Sequence, residues 1–187
     1  MINVIAFVGK ARSGKTTAGE YLLNAKQYTR LRFADKLKAM LRELGLMGRE
    51  IDGDLKGCAC DILGGKTPRH AMITLGTEWG RDMIHPDIWV NALNREMKYY
   101  INVGRTNFVI DDLRFVNEAK YIDELDSSKF RTTIVRIERK ATEVASTHVS
   151  ETQMDNISAD HVIYNDYDMG TLYKSIDEVM DLYFKEE

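Results

Sequence analysis

The stretch Ile2-Asn3-Val4-Ile5-Ala6-Phe7-Val8-Gly9-Lys10-Ala11-Arg12-Ser13-Gly14-Lys15-Thr16 decides the fold. Its first seven residues form an apolar, β-branched run of the length of a buried strand, and a basic leader is absent from it, so it reads as a strand and not as a signal peptide. Gly9 to Thr16 then satisfies G-x-x-x-x-G-K-[ST] at every constrained position. Gly9 and Gly14 let the backbone curl, and a helix starting near Lys15 turns its positive dipole end toward an anion held there. Lys15 is expected to reach the β- and γ-phosphates of a nucleotide, and the Thr16 hydroxyl to coordinate Mg²⁺. Gly9, Ala11, Arg12, Ser13, Gly14, Lys15, Thr16 and Thr17 are therefore the expected ATP-binding set, with Thr16 as metal ligand. A turn that bound nothing would explain neither the Lys-Thr pair nor the strand before it.

Outward from this loop, short β-branched runs alternate with longer helical stretches, the signature of a parallel sheet with helices on its faces. Strands are expected at Ile2 to Val8, Tyr28 to Phe33, Asn107 to Ile110, Thr132 to Ile137 and His161 to Tyr164. Helices are expected at Lys15 to Ala25, Ala34 to Leu44, Arg69 to Met83, Asp87 to Tyr100, Val116 to Leu125 and Gly170 to Lys185. The fold class is thus α/β: a three-layer P-loop NTPase fold with a central, mostly parallel five-stranded sheet. Gly45 to Lys66, with six glycines, and Lys140 to Ala159, rich in Ser, Thr and charge, read as irregular binding loops or lids.

A chain of 187 residues makes one domain the expectation, and 44% hydrophobic with 29% charged residues fits a folded globular protein. A net charge of -3 gives no electrostatic reason to hold a polynucleotide. No apolar stretch approaches the roughly 18 residues of a membrane span, which makes the cytoplasm the expected compartment. Cys58 and Cys60 stand as C-x-C without a second pair at zinc-finger spacing, and read as reduced thiols.

The P-loop alone does not separate kinases from switches or motors. Guanine readers carry N-K-x-D, which is absent in a fitting context, and there is no room for the extra domains of helicases or transporters; a small-molecule kinase is the expected class. Such an enzyme needs a second positive pocket and an acid beside it. Arg69 to Met83, wound as a helix, gathers Met72, Leu75, Trp79 and Met83 in a stripe with Thr77 and Arg81 opposite, and its two glycines, Gly76 and Gly80, suggest a break or a close backbone approach by a ligand. Phe108-Val109-Ile110-Asp111-Asp112-Leu113-Arg114 reads as a strand ending in two carboxylates and an arginine, where ligands of open α/β sheets sit. Either aspartate could serve the metal or the acceptor and Arg114 grip a phosphate; alternatively Asp112 caps the next helix and Arg114 pairs with Glu118. Arg136, Arg139 and Lys140 lead into the second loop, as a phosphoryl-closing arginine would.

Taken together these residues resemble the bacteriophage deoxynucleoside monophosphate kinases, within the nucleoside monophosphate kinase-like P-loop fold. The resemblance rests on the Gly9 to Thr16 loop, Phe33-Ala34-Asp35-Lys36, Arg69 with Leu75-Gly76-Thr77, Trp89, Asp112-Leu113-Arg114 with Glu118, Thr147-His148-Val149-Ser150-Glu151, and Ile163-Tyr164-Asn165-Asp166. It implies a single kinase domain over 1–187, with a nucleoside monophosphate-binding insertion at about 34–100 and a lid at about 139–159. It implies that Asp35, Lys36, Arg69, Gly76, Thr77, Trp89, Asp112, Arg114 and Glu118 surround a deoxynucleoside monophosphate, with Arg69 and Arg114 on its phosphate and Trp89 at its base or the pocket wall. It favours Asp112 over Asp111, matches Arg139 to the arginine at the head of the lid, and puts Asn165 in the loop bordering adenine. Lys15, Arg139 and Asp112 are the implied catalytic residues, ATP and Mg²⁺ the implied donor and cofactor, and a homodimer is compatible with it. Thr16 follows the Walker pattern where some phage members carry an acid, and base selectivity is not carried over. A kinase of the dephospho-coenzyme A type and a non-catalytic ATP-binding regulator are the alternatives.

Overall fold

A computed structural model describes residues 1–140 and 153–185. Two compact units emerge: Met1–Arg32 with Arg95–Glu187, and Phe33–Asn94.

The first unit is built on a five-stranded sheet of β1 (Ile2–Val8), β2 (Thr29–Leu31), β3 (Asn107–Leu113), β4 (Phe130–Glu138) and β5 (His161–Tyr164), in the order β2-β3-β1-β4-β5. Every pairing is parallel. β1 lies at the centre with Val4 to Val8 fully buried, as a strand covered on both faces must be. The chain departs to opposite sides of β1, so a crevice opens beyond its carboxyl end, where the Gly9 to Thr16 loop emerges.

One face of the sheet is covered by α1 (Lys15–Ala25) and α7 (Met169–Phe184). Ala18 and Leu22 of α1 and Leu172, Ile176, Val179 and Phe184 of α7 join Ile5, Phe7, Val109, Val135, Ile137 and Ile163 in one core. Each large side chain buried there contributes about 1.5–3 kcal/mol. α1 and α7 are further tied by Tyr21 stacked on Tyr173 at 4.3 Å and by Asp177, whose carboxylate accepts from the Tyr21 hydroxyl (2.8 Å) and the Lys26 ammonium (2.9 Å). Desolvation pulls the Asp177 carboxyl upward, but the hydrogen bonds from Lys26 and Tyr21 outweigh it and hold it below its ordinary value. Lys26 is raised, chiefly by its hydrogen bond to Asp177. The Asp177 contribution to stability is therefore full above the carboxylate's unfolded value and is lost as pH falls through its depressed folded value. Urea melts of the wild type and Asp177→Asn should differ at pH 7, and the gap should shrink as pH falls below the ordinary carboxylate range; a pH-independent gap would exclude this linkage.

Three expectations need correcting in the second unit and at its exit. Gly45 to Lys66 is not irregular throughout: after α2 (Asp35–Glu43) come a one-turn helix α3 (Gly48–Ile51) and tight 3₁₀ turns at Asp54–Gly57 and Asp61–Leu63. Asp52 anchors this segment to α2 by accepting from Lys38 (2.6 Å) and Arg42 (3.0 Å), and the Cys60 thiol donates to Glu50. Both cysteines are free, and the described residues contain no cluster of His, Cys, Asp and Glu that could hold a metal.

The single helix expected over Arg69 to Met83 is in fact two. α4 (Pro68–Thr74) gives way to a π-helix, Leu75–Ile84. In a π-helix the backbone bonds run from i to i+5, so a stripe counted at three and four residues falls out of register: Met83 is exposed, and Arg81 lies over Gly76. The reason is local. Gly80 sits against the Trp89 indole, where an added Cβ would lie 2.7 Å from Cζ2, and the Gly76 carbonyl accepts from Trp89 Nε1 (2.8 Å) and Arg81 Nη1 (3.0 Å). The close approach at these glycines is made by a tryptophan of α5 (Ile88–Asn102), where the expectation was a break or a ligand.

The third correction concerns β3. It does not end before the aspartates but runs through both to Leu113, and its register against β1 advances by one residue between Ala6↔Ile110 and Val8↔Leu113. Thr147 to Glu151, most of the Lys140 to Ala159 stretch and the body of the expected lid lie outside the described residues.

Candidate functional site: a phosphate-binding loop and the acidic end of β3

Gly9 has φ 151° and Gly14 φ 112°, values that side chains disfavour. Space forbids them as well: a Cβ on Gly9 would run into the Ile137 carbonyl of β4, and one on Gly14 into the Asn165 side chain. Between them Arg12 takes a left-handed φ of 64°, and the Ser13 N–H closes a tight turn onto the Lys10 carbonyl at 3.2 Å. Gly14 caps α1, whose first N–H groups have no partner inside the helix and face the loop.

The side chains follow from this backbone. Lys15 is 7% exposed, and its ammonium donates to the Gly9 carbonyl and to the Lys10 carbonyl at 2.7 Å, so its charge is held inside the loop. Ser13 is 1% exposed and its hydroxyl oxygen has no hydrogen-bond partner among the described residues. A buried hydroxyl left so costs about 1–3 kcal/mol, which an anion in the loop would offset. Thr16 is exposed at the mouth. These donors fit a phosphate chain, and the Thr16 hydroxyl fits a divalent cation beside it.

Arg12, Lys15, Thr16, Thr17, Arg139 and Asn165 line one cavity of about 350 Å³. The expected ATP-side residues are thereby brought together, except that Ser13 lies beneath the loop, Ala11 is at its exposed tip, and Gly9 lines a neighbouring cavity with Lys10 and Arg139. Three residues of the first cavity went unread in the sequence: Tyr167, Met169 and Leu172. Their signal was an aromatic and a methionine directly after Asn165-Asp166, at the start of the last helix. Tyr167 is 74% and Met169 64% exposed, a hydrophobic surface suited to the face of a base.

At the bulge of β3 the two aspartates part ways. Asp111 is 3% exposed and faces α1, where an added Cβ on Gly19 would come within 2.9 Å of its carboxylate. It pairs with Arg30 of β2, which also lies 3.9 Å from Glu20. Asp111 is therefore engaged in a buried ion pair, whereas Asp112 is half-buried at the strand end. Bulges beside sites re-aim side chains in this way. The helix that follows, α6 (Val116–Asp123), is capped by Phe115 and not by Asp112. Glu118, 2% exposed, accepts from the backbone N–H of Arg114 (3.0 Å) and Phe115 (3.1 Å). The Arg114 main chain is thus fixed by a buried carboxylate one turn on.

In the second unit, Asp35 opens α2 with the exposed Lys36 beside it, Arg69 is exposed near the start of α4, Thr77 is half-buried, and Gly76 is buried. Trp89 is 3% exposed, so its ring serves as wall and brace of the π-helix.

The profile of the deoxynucleotide monophosphate kinase family matches residues 55–176. A protein of Acanthamoeba polyphaga mimivirus that carries the provisional name deoxynucleotide monophosphate kinase is 32% identical over 190 residues, covering 95% of this chain and 96% of its own. The chain belongs to the deoxynucleotide monophosphate kinase family. A second relative, the deoxynucleoside-5'-monophosphate kinase of Escherichia phage T5, is 32% identical over 106 residues, 54% of this chain and 40% of its own length. Among solved structures, TT1252 of Thermus thermophilus aligns at TM-score 0.54 with 16% identity, covering 99% of both chains, a likeness of fold. The family match begins in the Asp54–Gly57 turn and ends in α7, so this kinase-family chain carries β3, the bulge, α6 and Arg139 inside the matched region. No helix among the described residues is long and apolar enough to cross a membrane.

Proposed function

We propose that this kinase moves the γ-phosphoryl of ATP onto the phosphate of a deoxynucleoside monophosphate, giving the diphosphate and ADP. The observation that carries the donor half is the buried Lys15 and the orphaned Ser13 hydroxyl in a loop that shares a cavity with Arg139. Gly9 to Thr17 hold the donor phosphates, and Tyr167 and Met169, in the loop that begins with Asn165, border its base. Mg²⁺, held through Thr16, would supply charge neutralisation on the β- and γ-oxygens when bound.

An ionised phosphate is already a competent nucleophile, so the protein's task is positioning and charge neutralisation. Lys15 and Arg139 stabilise the charge on the moving group. Arg114 is the proposed bidentate ligand of the acceptor phosphate, its main chain set by Glu118. Asp112, half-buried at the strand end, orients the acceptor or the metal shell. The family resemblance assigns Arg69 to the same phosphate and Asp35, Lys36, Gly76 and Thr77 to the rest of the acceptor, with Trp89 as its wall.

A coupled ADP-release assay over dTMP, dGMP, dCMP, dAMP and their ribonucleotides tests this. Turnover with at least one deoxynucleotide is expected; ATP binding without turnover on any of them would refute it. Arg114→Ala should raise the acceptor KM by roughly 10–100-fold, the worth of a bidentate charged contact, and leave the KM for ATP nearly unchanged. Equal losses on both substrates would take Arg114 out of the acceptor site.

A further inference from the structure

The loop that follows β5 does more than border a base. Asn165 is 9% exposed, and its side-chain amide donates to the Ser13 carbonyl at 2.8 Å, across 152 residues of sequence. The same amide nitrogen is the atom that a side chain on Gly14 would strike, so Asn165 packs directly against the turn into α1. Its backbone N–H donates to the Glu138 carbonyl at 2.7 Å. The next residue, Asp166, accepts from the Lys140 backbone N–H at 2.8 Å, with the Lys140 ammonium 3.6 Å away. Arg139 is therefore bracketed: the residue before it and the residue after it are each bonded to the Asn165-Asp166 dipeptide. One dipeptide holds the phosphate loop by its first side chain and the Arg139 backbone on both sides.

We propose that Asn165 and Asp166 are positioning residues that fix the phosphate loop and Arg139 relative to each other, so that both cations meet the same phosphoryl group. This rests on the ATP-dependent reaction proposed above. Asn165 acts through the Ser13 peptide, which is the base of the nest, and not through contact with adenine. Removing the amide leaves a buried loop carbonyl without its donor, a loss that corresponds to about a tenfold change in an equilibrium constant. Asp166 acts on Arg139, whose charge matters in the transition state, so its loss should appear in kcat.

The test is steady-state kinetics on the full chain with ATP and the best deoxynucleotide acceptor, together with ADP binding by calorimetry and melting temperatures. Asn165→Ala should raise the KM for ATP and the Kd for ADP about tenfold with the acceptor KM within twofold of wild type. Asn165→Asp keeps size and removes the donor, and should reproduce the effect if the alanine variant does not fold. Asp166→Ala should lower kcat about tenfold with the KM for ATP little changed, and Asp166→Asn, which keeps an acceptor oxygen for the Lys140 N–H, should recover most of that loss. Absence of turnover in the wild type would overturn the underlying reaction. Wild-type turnover, with either folded Asn165 variant matching wild-type ADP affinity, or with Asp166→Asn no better than Asp166→Ala, would overturn this proposal alone, as would equal shifts in both KM values tracking a lower melting temperature.

Discussion

Lys15→Ala lowers kcat for phosphoryl transfer by roughly 10²–10³-fold, the effect of losing one preorganised charge at the transferring group, while the melting temperature stays within a few degrees of wild type. The size of the effect follows from where the ammonium sits. It is 7% exposed, shares a cavity with Arg139, and is aimed inward by the Gly9 and Lys10 carbonyls, so it is already desolvated and needs little reorganisation to meet a phosphate. Lys15→Arg keeps the charge, but its broad planar fork is set at a different reach, so most of the activity stays lost. Coupled ADP release with the best acceptor measures both variants. Retention of more than a tenth of wild-type kcat by Lys15→Ala would remove this residue from the chemistry.

The second large effect concerns stability. Trp89→Ala costs about 3–5 kcal/mol in urea unfolding, because the ring fills buried space and braces two turns of the π-helix. Trp89→Phe separates the ring from its hydrogen bond. The Gly76 carbonyl keeps the Arg81 donor, so the phenylalanine should cost about 1 kcal/mol for the hydrogen bond together with a small packing loss. A tryptophan at the mouth of a pocket with only a ligand to contact would be replaceable by alanine at less than about 1 kcal/mol, and that result would contradict the burial seen here.

The β1–loop–α1 unit was legible at the level of single residues because its constraints are chemical and local. Glycines, a lysine and a threonine at fixed spacing admit few backbones, and α1 runs from Lys15 to Ala25 as expected. The sheet was legible from its β-branched runs, and the strands at Ile2 to Val8 and His161 to Tyr164 coincide with expectation. Elsewhere the deciding partner lay far along the chain. Asp111 and Asp112 looked like a strand end because carboxylates avoid buried sheets; Arg30, some eighty positions earlier, is what permits one of them inside. The π-helix was hidden because hydrophobic spacing tests for turns of 3.6 residues, and the Trp89 ring that sets its glycines is not visible in the spacing. The Ser13–Asn165 bond joins residues 152 positions apart, which no local pattern records. Tyr167 and Met169 were missed for a different reason: exposed apolar residues in a loop look unremarkable until a cavity is seen beside them.

The extra residue in β3 has a consequence for how this protein tolerates change. Two aspartates stand opposite the single Phe7 between the fixed pairs Ala6↔Ile110 and Val8↔Leu113. Their number, apart from their chemistry, makes the bulge: one position of β1 faces two of β3. Deleting either one would remove the bulge while Leu113 stayed opposite Val8, leaving a single aspartate where one now pairs with Arg30 and the other stands at the strand end. An alanine at Asp112 removes a carboxylate and leaves the bulge intact; a one-residue deletion there straightens the strand, so that one carboxylate has to stand where two now point apart.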